Sequence, residues 1–152
     1  MINKDIISEL KVGSMNCNGL GNTVKRKKVL NWLNNKEEEI FMLQETHTVS
    51  SLEKDWERIW GSRIYFNHGR SNALGTTILI KKHSNIKVIK HQILVEGRLH
   101  YLEIDYDGNN YCLVNVYSPN KDDVEFLKTV FHDTLGRFRD DQIIYGGTGM
   151  QF

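Results

Sequence analysis

The sequence holds a single proline, Pro119, only two cysteines, Cys17 and Cys112, no long apolar run, and a formal net charge of just +1. Each shortage excludes something. With one proline and no tract rich in proline, glycine or serine, nothing marks a linker, and residues 1–152 are expected to form one domain. Both cysteines stand inside apolar stretches, which fits buried free thiols in a reducing compartment better than a disulfide scaffold. The first residues, "MINKDIISELKV", carry charge where a secretory leader needs an apolar core, and no segment reaches the length of a membrane span. The expectation is a protein with no membrane partner that is intracellular, nuclear or cytoplasmic, and not secreted. The near-zero net charge neither predicts nor excludes a polyanionic partner, because such a partner responds to local arrangement.

What is present is globular in composition, with 26% charged and 39% apolar residues. "LKVGSMNCN" has the pattern of a strand, "GLGN" of a turn, and "TVKRKKVLNWLNNK" of a helix with Val24, Val29, Leu30 and Leu33 toward one side. "EIFMLQE" is a short apolar run of the buried-strand type. Ser50 and Glu53 have the spacing of a reciprocal helix cap, followed by Leu52, Trp56, Ile59 and Trp60 at helical intervals and Gly61 as a stop. Extended segments follow at "RIYFNHG", "GTTILIKK", "IKVIKHQIL", "RLHYLEIDY" and "YCLVNVY", with Asp107-Gly108 as hairpin chemistry between the last two. Helical spacing returns over Asp122–Phe138, where Asp122 and Glu125 again suggest a cap, and "QIIYGG" closes the series as a strand. The pattern predicts an α/β fold, a mixed β-sheet with helices on one face.

Several apolar runs end in polar bursts, and in open sheets ligands gather where strand ends converge. Glu45, ending an otherwise apolar strand, suits a hard cation, or it is a loop acid exposed to water. Asn16 and Asn18 alternate, so their amides leave one face toward a phosphate or metal-bound water, or they are simple turn residues. Tyr117, in phase with Asn115, offers its phenol to a phosphate or packs its ring. His47 is a candidate ligand or proton carrier, though a lone loop histidine is usually neither. Lys25-Arg26-Lys27-Lys28 could meet a phosphate backbone or form a solvated helix face.

Taken in order, "MNCNGL", "LQETH", "VNVYSPN" and "IIYGG" resemble the successive motifs of the endonuclease/exonuclease/phosphatase superfamily. The resemblance is closest to the apurinic-type endonuclease domain of LINE-type non-LTR retrotransposon polyproteins, and it covers nearly the whole chain. It implies a layered two-sheet sandwich with outer helices and Mg²⁺-dependent (or Mn²⁺-dependent) hydrolysis of a DNA phosphodiester. It implies Glu45 and Asn18 as metal-side residues, Asn16 as a catalytic residue that helps organise the site, and Tyr117 as the catalytic residue that contacts the scissile phosphate. After the second glycine the superfamily supplies a carboxylate, an aromatic and an asparagine. This sequence has Thr148, Gly149 and Met150; a threonine cannot serve as that base, and a methionine donates nothing in place of the amide.

The resemblance therefore suggests a truncated domain whose second half, with its closing Asp-His pair, is missing, and a frameshifted or mis-spliced copy as its origin. No measurable catalysis alone is expected, together with self-association through an uncovered sheet face. The alternatives are a non-catalytic nucleic-acid-binding remnant and a phosphatase or phospholipase relative within the superfamily.

Overall fold

In a computed structural model, residues 9–70, 73–119 and 123–148 are described. The expected cap at Asp122 lies outside them. β1 (Val12–Asn16) feeds α1 (Thr23–Asn34), then β2 (Ile40–Gln44), a 3-10 turn (Ser50–Leu52) and α2 (Glu53–Trp60). β3 (Ile64–Asn67), β4 (Thr76–Ile80), β5 (Lys87–Val95), β6 (Leu99–Tyr106) and β7 (Asn109–Tyr117) follow, then α3 (Asp123–Leu135) and β8 (Ile143–Thr148).

These strands make two four-stranded sheets, ordered β1-β2-β4-β3 and β5-β6-β7-β8. Each sheet is mixed, with β1 parallel to β2 and β7 parallel to β8, and the remaining pairs antiparallel. The Asp107-Gly108 hairpin forms with both residues at positive φ, 54° and 83°, as a two-residue turn of the primed type requires. The sheets stack with β7 and β8 over the β1, β2 and β4 side. Ile40, Met42, Ile78 and Ile80 of one sheet pack on Leu102, Ile104 and Leu113 of the other.

Helices cover one face of each sheet. α1 and α2 bury Leu30, Leu33, Trp56 and Trp60 against Phe41, Leu43 and Leu79. On the far side, Leu127, Phe131 and Leu135 of α3 pack on Leu99, Tyr101, Cys112, Val114 and Val116. The layered α/β sandwich with outer helices is thus what the chain builds, and a fully buried side chain such as Trp56 contributes roughly 2–3 kcal/mol of hydrophobic stabilisation. A groove of about 480 Å³ runs between α3 and β8, lined by Phe131, Phe138, Ile143 and Tyr145 among others. Both cysteines are free and buried, and burial pushes each thiol up to about 12. Among the described residues, no helix is long and apolar enough to cross a membrane.

Local details depart from the sequence pattern. Val24 is 63% exposed, and Arg26 takes the buried place on α1. Its guanidinium donates to the Asp55 carboxylate of α2 at 2.5 and 3.0 Å and to the carbonyls of Leu20 and Gly21 at 2.8 and 3.1 Å. These four hydrogen bonds explain how a charge enters the layer between helix and sheet. The reciprocal cap at Ser50 and Glu53 does not form, because a 3-10 turn intervenes and no side chain caps it. The Glu53 carboxylate goes instead to His68 Nε2, at 2.8 Å. Gly61 ends α2 as expected, at φ 75°.

Candidate phosphate-facing site

The register brings the C-terminal ends of β1, β2, β3, β5 and β7 and the N-terminal ends of β4 and β6 to one end of the sandwich. There the β1 and β2 backbones run on in step past their last strand residues. Gly19 N donates to Glu45 O at 2.7 Å and Leu20 N to Thr46 O at 3.1 Å, while Thr46 N reaches Gly75 O at 3.1 Å. This extension bends sharply. Asn18, Glu45 and His47 all adopt left-handed backbone, at φ 50°, 50° and 54°. Such conformations cost a residue with a side chain of order 1 kcal/mol or more, and they concentrate at functional sites.

Glu45 and Tyr117 meet across the gap between the sheets, where the phenol donates to the carboxylate Oε1. Burial first, and then the Glu45 carboxylate, push the Tyr117 phenol up to about 12, so it remains a donor at neutral pH. Asn16 stands at the end of β1, opposite Gln44 in the register. Asn18 has left the strand, so the alternation argued from sequence stops at Asn16. A local turn joins the two, with Asn18 N donating to Asn16 Oδ1 at 2.9 Å. Lys25 Nζ closes this turn from α1, donating to Cys17 O and Asn18 O at 3.0 Å each.

The basic run is therefore only partly a surface feature. Arg26 is buried, Lys25 is tied to the β1–α1 turn, and Lys27 and Lys28 are exposed. His47 packs its ring against Gly19, where an added Cβ would lie 2.7 Å from Nδ1. Only glycine allows that approach.

Sequence reasoning missed the polar layer beneath the site. Asn115, fully buried, donates from Nδ2 to Leu43 O at 3.0 Å and Thr77 O at 3.1 Å, and its Oδ1 accepts from Gln44 Nε2 at 2.9 Å. His100 Nε2 lies 3.2 Å from the same amide, and His100 Nδ1 lies 2.9 Å from His91 Nε2. Burial holds both imidazoles below the usual histidine range, His100 well below it. A second clamp is Asn67, whose amide bonds Thr76 Oγ1 at 3.0 Å and Val95 O at 3.1 Å and accepts from Gly97 N at 2.8 Å. An asparagine inside a strand pattern was the one available signal for both, since a buried amide needs partners on every side.

In donor chemistry, the corner offers one carboxylate, Glu45, beside a turn carrying the amides of Asn16 and Asn18. Among the described residues no three of His, Cys, Asp and Glu gather in one place. An all-oxygen set of this size fits Mg²⁺, which retains several waters, better than an ion caged wholly by protein.

This architecture recurs in solved structures. A humanised D. rerio TDP2 matches with TM-score 0.69 at 15% identity, over 94% of this chain and 63% of that one. The endonuclease domain of TRAS1, a telomere-specific non-LTR retrotransposon, matches with TM-score 0.64 at 15% identity, over 90% of this chain and 58% of that one. An AP endonuclease from Archaeoglobus fulgidus matches with TM-score 0.63 at 19% identity, over 91% of this chain and 56% of that one. The chain has the endonuclease/exonuclease/phosphatase fold.

The sequence itself is similar to a transposon protein. It is 33% identical over 110 residues to the Transposon TX1 uncharacterized 149 kDa protein of Xenopus laevis, across 72% of this chain and 8% of that protein. No protein-family profile matches the sequence. The chain spans a small part of this relative and somewhat under two thirds of the superfamily structures it matches.

Proposed function

We propose that the chain carries the metal-holding and phosphate-facing corner of a Mg²⁺-dependent (or Mn²⁺-dependent) DNA endonuclease of retrotransposon origin. Glu45 and Asn18 hold the cation, while Asn16 and Tyr117 face the scissile phosphate. The observation that carries this is the Tyr117–Glu45 hydrogen bond, which joins the ends of two sheets at left-handed, strained backbone. A divalent cation there would offset charge building on the phosphoryl oxygens during hydrolysis. Tyr117, kept protonated, donates to a phosphate oxygen in place of Glu45 once substrate enters. Asn16 fixes the β1–α1 turn against the phosphate. A D. rerio TDP2 of the same fold was crystallised with a single-strand DNA product, which supports a nucleic-acid partner.

β8 sets Thr148 opposite Tyr117 in register, at the position where the superfamily resemblance implies a carboxylate base. A threonine hydroxyl does not take a proton from water at neutral pH. The chain alone is therefore proposed to bind metal and DNA without turnover, since members of a catalytic constellation act as a unit. Self-association is proposed at the groove between α3 and β8.

Two measurements on the purified chain test this. Added Mn²⁺ should broaden amide NMR signals near Glu45 and Asn18, and Glu45→Gln should remove the effect. Supercoiled plasmid should stay intact with either cation. Nicking abolished by Glu45→Ala would keep the metal assignment and overturn the inactivity, whereas no broadening at Glu45 would sink the assignment itself.

A further inference from the structure

The polar layer under the corner is one continuous chain of side-chain contacts. It runs from His91 on β5 through His100 on β6, Asn115 on β7 and Gln44 on β2 to Ser14 on β1. Among the described residues β5 and β1 are outer strands of their sheets, so the chain crosses the interior from edge to edge. His91 is half-buried at one end of it, and His100 is fully buried.

The direction of donation along this chain is fixed. Gln44 Nε2 reaches Met42 O at 3.0 Å, and Asn115 Nδ2 reaches Leu43 O and Thr77 O at 3.0 and 3.1 Å. Carbonyls only accept, so neither amide can flip without losing these bonds. Asn115 therefore turns its donor to His100 Nε2, 3.2 Å away, and that nitrogen carries no proton. Neutral His100 then holds its proton on Nδ1 and donates it to His91 Nε2 at 2.9 Å, which leaves the His91 proton on Nδ1 as well.

An added proton has no seat in this arrangement. On His100 Nε2 it faces the Asn115 donor. On His91 Nε2 it faces the Nδ1–H of His100, and moving that proton to Nε2 brings the same conflict to Asn115. The surroundings offer no anion to offset the charge. β3 sets the Tyr65 phenol edge-on to His91, with Arg63 acting on that phenol. Within the sheet Leu102 lies opposite His91, and Ile93 and Asn115 flank His100. Burial opposes a proton on His91, and burial together with the neighbouring imidazole opposes one on His100.

We propose that His91 and His100 form a proton-operated latch on Asn115, whose amide ties the two sheets together in neutral solution and releases Leu43 and Thr77 when the pair takes up a proton. Asn115 lies two residues from Tyr117 on the same face of β7, so its release frees the strand that brings the phenol to Glu45. The latch follows from the hydrogen-bond pattern and stands apart from the endonuclease reading.

Side-chain ¹⁵N NMR of the purified chain, titrated from about pH 7.5 to about pH 5 across the range where imidazoles charge, tests it. At the neutral end both rings should show a protonated Nδ1 and a bare Nε2. On acidification the Asn115 side-chain amide should shift with the same midpoint as the imidazoles, and the Tyr117 backbone amide should follow. In His100→Gln, a neutral amide that does not titrate, His91 should still charge while Asn115 stays fixed. An Asn115 amide that stays still while either wild-type histidine titrates overturns the latch, as does a His100 protonated on Nε2 at neutral pH. Unfolding of the wild-type chain before either ring titrates overturns it too. The wild-type titration decides even where His100→Gln does not fold.

Discussion

The space between the two sheets has two halves of opposite character. At one end Ile40, Met42, Ile78, Ile80, Leu102, Ile104 and Leu113 interlock with no polar group among them. At the other end Gln44, Asn115 and His100 occupy the same layer, each buried, with Glu45 and Tyr117 just beyond. The apolar half is held by area removed from water and tolerates changes of shape if volume is kept. The polar half is held by a small set of directional bonds, each of which fixes a distance and a register. Stability concentrates in the apolar half, and geometry is set where Glu45 and Tyr117 stand.

Substitutions should separate the halves. The largest effect is expected for Leu102→Ala, a cavity in the apolar half costing about 3 kcal/mol in denaturant unfolding. Metal broadening at Glu45 should survive it in the folded fraction. Asn115→Leu should come next, at about 2 kcal/mol, because it removes one acceptor of the Gln44 amide and leaves two carbonyls without their donor. Unlike the cavity, it should also weaken Mn²⁺ binding at Glu45; equal metal affinity in the two variants would erase the distinction.

The buried histidines give the polar half a pH dependence that the apolar half lacks. Folding lowers the His100 value below the usual 6.5, so the unfolded chain binds more protons as the medium acidifies. Stability is full above that value and falls as pH drops below it toward the lower folded value. The melting temperature should decline between about pH 7 and about pH 5, and His100→Asn should flatten that decline. His91, hydrogen-bonded to His100 and edge-on to Tyr65, shifts in the same direction. The smallest effect is expected for Tyr117→Phe, within about 1 kcal/mol of stability, with a clear loss of DNA affinity. A stability cost larger than that of Asn115→Leu would make Tyr117 a structural residue.

Much of the fold is legible in the residues themselves. The apolar runs of β2 and β4, the Asp107-Gly108 turn and the tryptophan spacing of α2 each follow from local rules that tertiary packing does not override. The division into two sheets is not legible, because nothing local in β4 and β5 says that they part company. Arg26 looked like one of a row of solvated cations, since its acceptors come from a turn and from α2, which the helix pattern does not contain. Asn115 and Asn67 show only as polar residues inside strand patterns, and most of their partners lie on other strands and loops. The choice of Glu45 and Tyr117 came from motif likeness, and their meeting depends on sheet stacking that periodicity does not encode.

Glu45 also sits where the chain would rather have no side chain at all, with φ near 50° at the close of a strand. A glycine there would relax the backbone by roughly 1 kcal/mol. Screens that reward only sturdiness would therefore drift toward erasing the one carboxylate of this corner, and any library built from this chain should hold that position fixed while the apolar half is varied.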